Sequence, residues 1–479
     1  MFLHWKIANR ICLEFGALNT VAAVSKQTPS SGPQLAATLA RVPARRSTWA
    51  TSIVLSVIIL GLWLISKDIL FFRAIPQNFD AYFRYHIDFD VYREGAKAFL
   101  AGDNLYTRGY SVGGVSLPFT YPPFAALVFV PFTLLSVNFG ATILCLTSAL
   151  ALWWCVVLAT RSVMPEWGKA SVYGFAAVIL SIALLMEPVR DTIGFAQFNV
   201  LLMLLVIIDV LARRTVLPRG SLVGIAAAIK LTPAVFGLYF LVKKDYKAAA
   251  WSVASGIGVT LLTWLIAPQT STTYWFETLS DPGRIGDLTW PSNQSFRGVI
   301  ARFFGQESHT GLWALASLLV FAVLAWLMWA LLRRDHTAAA LCVNSLLALL
   351  CSPVSWSHHW VWVVVAVAVA IVVAARSWGA SAAAYPLMAG SVWAVVITVC
   401  SGHWLLPRYD GAPMRWNLAQ HLFGDSYVLM AILVLVAMSV WFIKPWGMTA
   451  GKALGNVTYA VAVGWAVVSA YVLFTSYPF

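Results

Sequence analysis

Acidic residues are scarce in this sequence: 19 Asp and Glu among 479 residues, beside 32 Lys and Arg, with 60% of the chain hydrophobic and 11% charged. A carboxylate near a bilayer is costly and tends to stand where it has a partner or a task, so each one is informative. Cysteine is also sparse. Cys12, Cys145, Cys155, Cys342, Cys351 and Cys400 include no CxxC spacing, which points to packing and to neither a disulfide frame nor a zinc site. There is no soluble stretch broad enough for a cationic nucleic-acid face, so the net charge of +13 does not mark a nucleic-acid binder. The basic residues fall instead in short turns such as Arg213-Arg214, Lys243-Lys244 and Arg333-Arg334, the positive-inside pattern that assigns those turns to the cytoplasm. Residues 1–48, which lack a cleavage signal, are expected to be a mobile cytoplasmic tail.

Long apolar runs are abundant. Thr51–Ser66, Ala141–Thr160, Ala248–Ala267, Leu312–Leu332, Trp360–Ala375, Ala382–Cys400, Tyr427–Ile443 and Leu454–Phe474 approach the length that crosses roughly 30 Å of hydrocarbon as a helix. With the shorter runs added, roughly 11–13 crossings are expected. The fold class is an all-α polytopic integral membrane protein, with residues 49–479 as one transmembrane domain. Charge alternation puts 67–118 and 268–310 outside as the first and second external loops. Asp90–Leu100 has the period of an amphipathic helix lying at the interface, stopped by Gly102 and Asn104. Between 137 and 242 two patterns are open. Either Phe119–Ser136 dips in without crossing and Ser221–Val242 is a hairpin broken at Lys230 and Pro233, or both cross and the middle is inverted. The first places every polar cluster on the external face, as an external active site requires.

Four clusters could carry chemistry. In His86-Ile87-Asp88-Phe89-Asp90-Val91-Tyr92-Arg93 the two carboxylates are two residues apart and cannot share a helix face. Asp88 is expected to be a general base and Asp90 the helix cap or a supporting group. A metal-binding acidic pair is disfavoured, because no further acidic cluster supplies oxygen ligands. His358 and His359 are adjacent and point about 100° apart on a helix, poor geometry for joint metal ligation, so one faces the cavity while the other packs. Arg297, in Asn293-Gln294-Ser295-Phe296-Arg297-Gly298, suits phosphate binding. Lys230, inside an apolar run, either snorkels to an interface or faces an anion. Glu187 is a candidate for an internal ion pair with Arg190, while Gln197 and Asn199 read as hydrogen-bonding groups between helices.

Leu117-Pro118-Phe119-Thr120-Tyr121-Pro122-Pro123, Glu187-Pro188 with Gln197-x-Asn199, Lys230-Leu231-Thr232-Pro233, Asn293-Gln294-Ser295-x-Arg297-Gly298 and Ser352-Pro353-x-Ser355-Trp356-x-His358-His359-Trp360 occur together in this order. This set resembles the actinobacterial polyprenol-phosphate-mannose-dependent α-1,2-mannosyltransferases of the GT-C class, most closely those of phosphatidylinositol mannoside assembly, from about residue 50 to at least residue 360. The resemblance implies a plasma-membrane enzyme with an extracytoplasmic active site. Its donor would be polyprenyl (decaprenyl) phosphomannose, its acceptor a mannosylated glycolipid, and no cofactor or metal would be needed. It selects Asp88 as base, because Asp88-Phe89-Asp90-Val91-Tyr92 matches an Asp-x-x-Val-Tyr setting. His358 or His359, Arg297 and Lys230 are then the cations available to the leaving phosphate. Asp90, Tyr92, Tyr121, Glu187, Gln197, Asn199, Asn293, Gln294 and Trp356 are the expected substrate-binding set. A sibling that branches lipomannan or lipoarabinomannan shares most of these motifs. A lipid-linked sugar flippase is the rival from another class, and the inverted repeat it would need is not seen.

Overall fold

The computed structural model describes residues 52–59, 85–281, 284, 286–305, 309–444 and 447–476. The expected tail, half of the first apolar run and the start of the expected first external loop lie outside the described residues. The chain is a multi-pass helical membrane protein. Among the described residues six helices are long and apolar enough to cross a bilayer: Val137–Val163, Tyr246–Ile266, Thr310–Leu332, Ser357–Ser377, Ala384–Leu405 and Ser426–Ile443. Lys169–Ala183 and Glu187–Gly194 form a pair bent by 78°, and Pro123–Leu134, Asn199–Leu211, Thr232–Val242 and Thr337–Cys351 are shorter apolar helices. The larger count expected from the sequence includes these bent and shorter pieces as crossings. The cysteines among the described residues are free thiols.

Helix α1 (Ile87–Leu100) begins earlier than its periodicity predicts. Its N-cap is His86 and Asp90 stands inside the first turn, so Asp90 is not the cap. Its carboxylate instead accepts from the Tyr85 hydroxyl and lies 3.7 Å from Arg93. The helix stops before Gly102, which takes the left-handed φ of +76° that a glycine adopts without strain. The segment after α1 then holds an antiparallel hairpin, β1 (Gly109–Val112) and β2 (Val115–Pro118), which the all-helical expectation did not include. Gly113 and Gly114, both at positive φ, make its two-residue turn.

At Tyr121-Pro122-Pro123 the backbone opens into α2 (Pro123–Phe129), which passes into a 3-10 turn, Val130–Leu134. The long α3 (Val137–Val163) follows, then α4 (Lys169–Ala183), α5 (Glu187–Gly194) and α6 (Asn199–Leu211). Packing centres on α3, which touches α4, α6 and Trp362–Ser377. Helix α7 (Ser221–Ile229) ends where Lys230 turns extended, and a 3-10 turn, Thr232–Phe236, carries Pro233. The interruption falls at the Lys-Leu-Thr-Pro motif because Pro233 has no N–H for a helical bond. Small residues let α7 press on Tyr246–Ile266: a Cβ on Gly224 would collide with the main chain of Ser252 and Gly256.

Candidate active site

The turn between α5 and α6 meets the start of α1. Ala196 sits at φ +50°, a sparsely populated conformation for a residue with a Cβ. The main-chain N–H of Gln197 donates to Thr192 O across this tight turn at 2.8 Å. The same turn grips α1, since Phe89 N–H donates to Phe195 O (3.3 Å) and His86 Nδ1 lies 2.9 Å from Gly194 O. Two segments about a hundred residues apart are thereby locked together, and Gln197 is carried to Asp88.

From Asp88 a hydrogen-bonded chain runs inward. Gln197 Nε2 donates to Asp88 Oδ2 at 2.5 Å, and the Tyr121 hydroxyl donates to Gln197 Oε1 at 3.1 Å. The Tyr92 hydroxyl donates to Tyr121 Oη at 3.0 Å. Lys230 Nζ donates to Tyr121 Oη (3.3 Å) and to Asn199 Oδ1 (2.8 Å), and lies 3.0 Å from His359 Nε2. Burial holds both Tyr92 and Tyr121 well above the ordinary phenol range, with the Asp88 charge adding to it, so both stay protonated and able to donate. Asp88 is half-buried, whereas Lys230 is 7% exposed. One side of the network thus reaches outward and the other ends at the buried amine of Lys230.

Lys230, Asn199, His359 and Ser355 line one groove. Its walls are otherwise largely apolar, with Leu202, Met203 and Val206 of α6 lining one side and Phe236 and Trp362 the other. Leu202, Met203 and Val206 share one helix face because their spacings are those of adjacent turns. A lipid whose charged head sits at Lys230 and whose tail follows α6 suits such a lining. Among the described residues no three His, Cys, Asp or Glu side chains are placed to hold a metal ion.

The structure divides the remaining candidates. The ring of His358 packs between Phe195 and His359, with its main-chain oxygen accepting from Thr192 Oγ1 (2.8 Å), so His359 is the one of the pair that meets Lys230. Glu187 is fully buried away from the groove. Ser357 Oγ (2.5 Å) and Trp404 Nε1 (3.0 Å) donate to its Oε1, the Tyr427 hydroxyl (2.8 Å) donates to its Oε2, and His403 lies 3.6 Å away. Asn293 and Gln294 are also fully buried and work on main chain. Asn293 Oδ1 accepts from Ser355 N–H (3.0 Å), Gln294 N–H donates to Ser355 O (2.8 Å), and Gln294 Nε2 donates to Gly424 O (2.8 Å). Trp356 pairs with Asn293 in an isolated antiparallel bridge. The Asn293-Gln294 segment is thus stitched to the segment that carries the histidines. Gly298 lies so close to Asn293 that a Cβ there would clash. Arg297 stacks over the Trp313 ring at 5.2 Å and is not among the groove residues.

Sequence reasoning passed over a further cluster. Arg302, fully buried, donates to Asp425 at 2.6 and 2.9 Å and to the main-chain oxygens of Trp290 and Asn293, and His421 lies 2.9 Å from the same carboxylate. Its signal was available: Arg302 interrupts the apolar residues of Phe296–Phe304, where a charge requires a partner.

Residues 119–353 match glycosyltransferase family 87. The chain is 37% identical to a polyprenol-phosphate-mannose-dependent α-(1-2)-phosphatidylinositol mannoside mannosyltransferase of Mycolicibacterium smegmatis, over 74% of this chain and 84% of the relative. An equally named protein of Mycobacterium tuberculosis is 37% identical over the same shares. A polyprenol-phosphate-mannose-dependent α-(1-2)-phosphatidylinositol pentamannoside mannosyltransferase, also of Mycobacterium tuberculosis, is 37% identical over 57% of this chain and 64% of its own length. No solved structure matches the chain. The chain therefore belongs, with these relatives, to the membrane glycosyltransferases of family 87.

Proposed function

We propose that the protein is an inverting α-(1→2)-mannosyltransferase of the plasma membrane, which moves mannose from polyprenyl phosphomannose to a phosphatidylinositol mannoside on the outer face. The names of its relatives support this donor and acceptor. The observation that carries the reading is the joining of Asp88, on the first external helix, to Lys230, at the head of the apolar groove. The donor phosphate sits against Lys230, Asn199 and His359, with the polyprenyl chain along Leu202, Met203 and Val206. Asp88 takes the proton of the acceptor hydroxyl as its oxygen bonds to the anomeric carbon. The bond from that carbon to the phosphate oxygen breaks on the opposite side, and its electron pair leaves with the polyprenyl phosphate. The buried Lys230 ammonium stabilises the charge that develops there, and low surrounding polarity strengthens the effect. One displacement inverts a β-linked donor into an α-mannoside, so no covalent enzyme intermediate is required.

The test is mannose transfer by purified protein supplied with polyprenyl phosphomannose and a phosphatidylinositol mannoside, with product read by mass spectrometry. Asp88→Asn is expected to lower the rate by about 10²–10⁴-fold while donor binding persists. Transfer near the wild-type rate would remove Asp88 as base. Faster transfer to a lipomannan-type acceptor would reassign the acceptor and leave the chemistry in place.

A further inference from the structure

Gln197 and Tyr121 stand between the two charges of the site. Each link places its donor on the Lys230 side: ammonium to Tyr121 oxygen, Tyr121 hydroxyl to Gln197 Oε1, and Gln197 amide to Asp88 Oδ2. The Tyr121 hydroxyl has one proton, and its oxygen already receives bonds from Lys230 and Tyr92, so that proton goes to Gln197. The arrangement fixes which end of the Gln197 amide faces the carboxylate. Turned over, the amide would set its oxygen against the Asp88 carboxylate and lose the bond from Tyr121. Gln197 is 4% exposed, and Ala196 beside it is held at positive φ, so the backbone delivers the amide to one place.

We propose that Gln197, locked by Tyr121, is the positioning residue for the base: it holds the Asp88 carboxylate in one orientation and in its ionised form, and ties it to the cation that receives the leaving group. The inference rests on the assignment of Asp88 and Lys230 above. A hydrogen bond donated to a carboxylate favours the charged form, so its loss raises the pH at which Asp88 becomes competent. The other titratable and charged groups on the elements around Asp88 are Tyr85, His86, Asp90, Tyr92, Arg93, Glu94 and Lys97 of its own helix region, Glu187, Arg190 and Asp191 of α5, Tyr121, Lys230, and His358 with His359. Variants at Gln197 leave all of them in place.

The experiment measures kcat/KM for mannose transfer by the full-length protein from about pH 5 to about pH 9, using polyprenyl phosphomannose and a phosphatidylinositol mannoside. Gln197→Leu is expected to lower kcat by about 10- to 100-fold and to move the acidic limb of the profile up by about one pH unit. Gln197→Glu, of equal size, sets a second carboxylate against Asp88. The two must then share a proton, and the limb moves further in the same direction. Tyr121→Phe keeps the ring packing and removes the lock, with about a tenfold loss of kcat and a smaller shift of the same sign. Lower rates with the acidic limb unmoved in both Gln197 variants would overturn the positioning role. If Gln197→Leu does not fold, as read by its melting temperature, the isosteric Gln197→Glu carries the test. Asp88→Asn, run alongside, separates the two ideas: if it retains wild-type transfer the base assignment fails, whereas a dead Asp88→Asn with unshifted Gln197 variants removes only the positioning role.

Discussion

Two carboxylates in this molecule, Asp88 and Glu187, stand in the first turns of short helices and have opposite surroundings. Glu187 is fully enclosed. Donors from three distant segments (Ser357, Trp404 and Tyr427) fill its oxygens, with His403 beside it. Asp88 lies half-buried, and the Gln197 amide that donates to it leads through Tyr121 to buried Lys230. A carboxylate surrounded by donors is a staple, because every direction of approach is already taken. A carboxylate on the boundary, wired to a cation but reachable, can exchange a proton. The two are also linked through the chain. Ser357, which Glu187 holds, immediately precedes the histidines, so the staple sets the turn that brings His359 to Lys230.

Substitutions can break this contrast. The largest expected effect belongs to the staple: Glu187→Ala leaves several buried donors without an acceptor and should destabilise the protein by about 3–5 kcal/mol, seen as a drop in melting temperature in detergent. Asp88→Asn should leave that temperature close to wild type, and an equal drop in both would erase the distinction. Next comes Lys230→Met, which removes the cation at the groove head. Transfer should fall by about 10²–10³-fold, with weaker donor binding in a direct titration. His359→Phe removes one polar partner of Lys230 and should raise the donor KM by about tenfold, while His358→Phe, whose ring packs against Phe195, should change melting temperature more than KM. Smallest is Arg297→Gln. It loses a stack on Trp313, outside the groove lining, and should keep transfer within about threefold of wild type. A large loss there would return Arg297 to the phosphate site.

Much of the architecture is legible in local pattern. Long apolar runs imply helices because a backbone in hydrocarbon must satisfy its own hydrogen bonds, and Pro122-Pro123 and Pro233 mark breaks because proline cannot donate one. The hairpin was also legible, since Gly113-Gly114 stands between alternating apolar residues, but the all-helical expectation hid it. The start of α1 was misplaced because Asp90 is a good cap by residue type, whereas the helix enters four residues earlier, where the α5–α6 turn grips His86 and Phe89.

The sequence by itself determined the class of the molecule, the family motifs and which polar side chains needed an explanation, because each of these depends on composition and short-range spacing. Tertiary structure decided which of those side chains share a site. Asp88, Tyr121, Gln197 and Lys230 come from four separate segments, and only packing sets their distances. It also decided that Asn293 and Gln294 spend their hydrogen bonds on backbone. The physical reason is that a polar group withdrawn from water must find a partner wherever the fold supplies one, and that partner can lie anywhere along the chain.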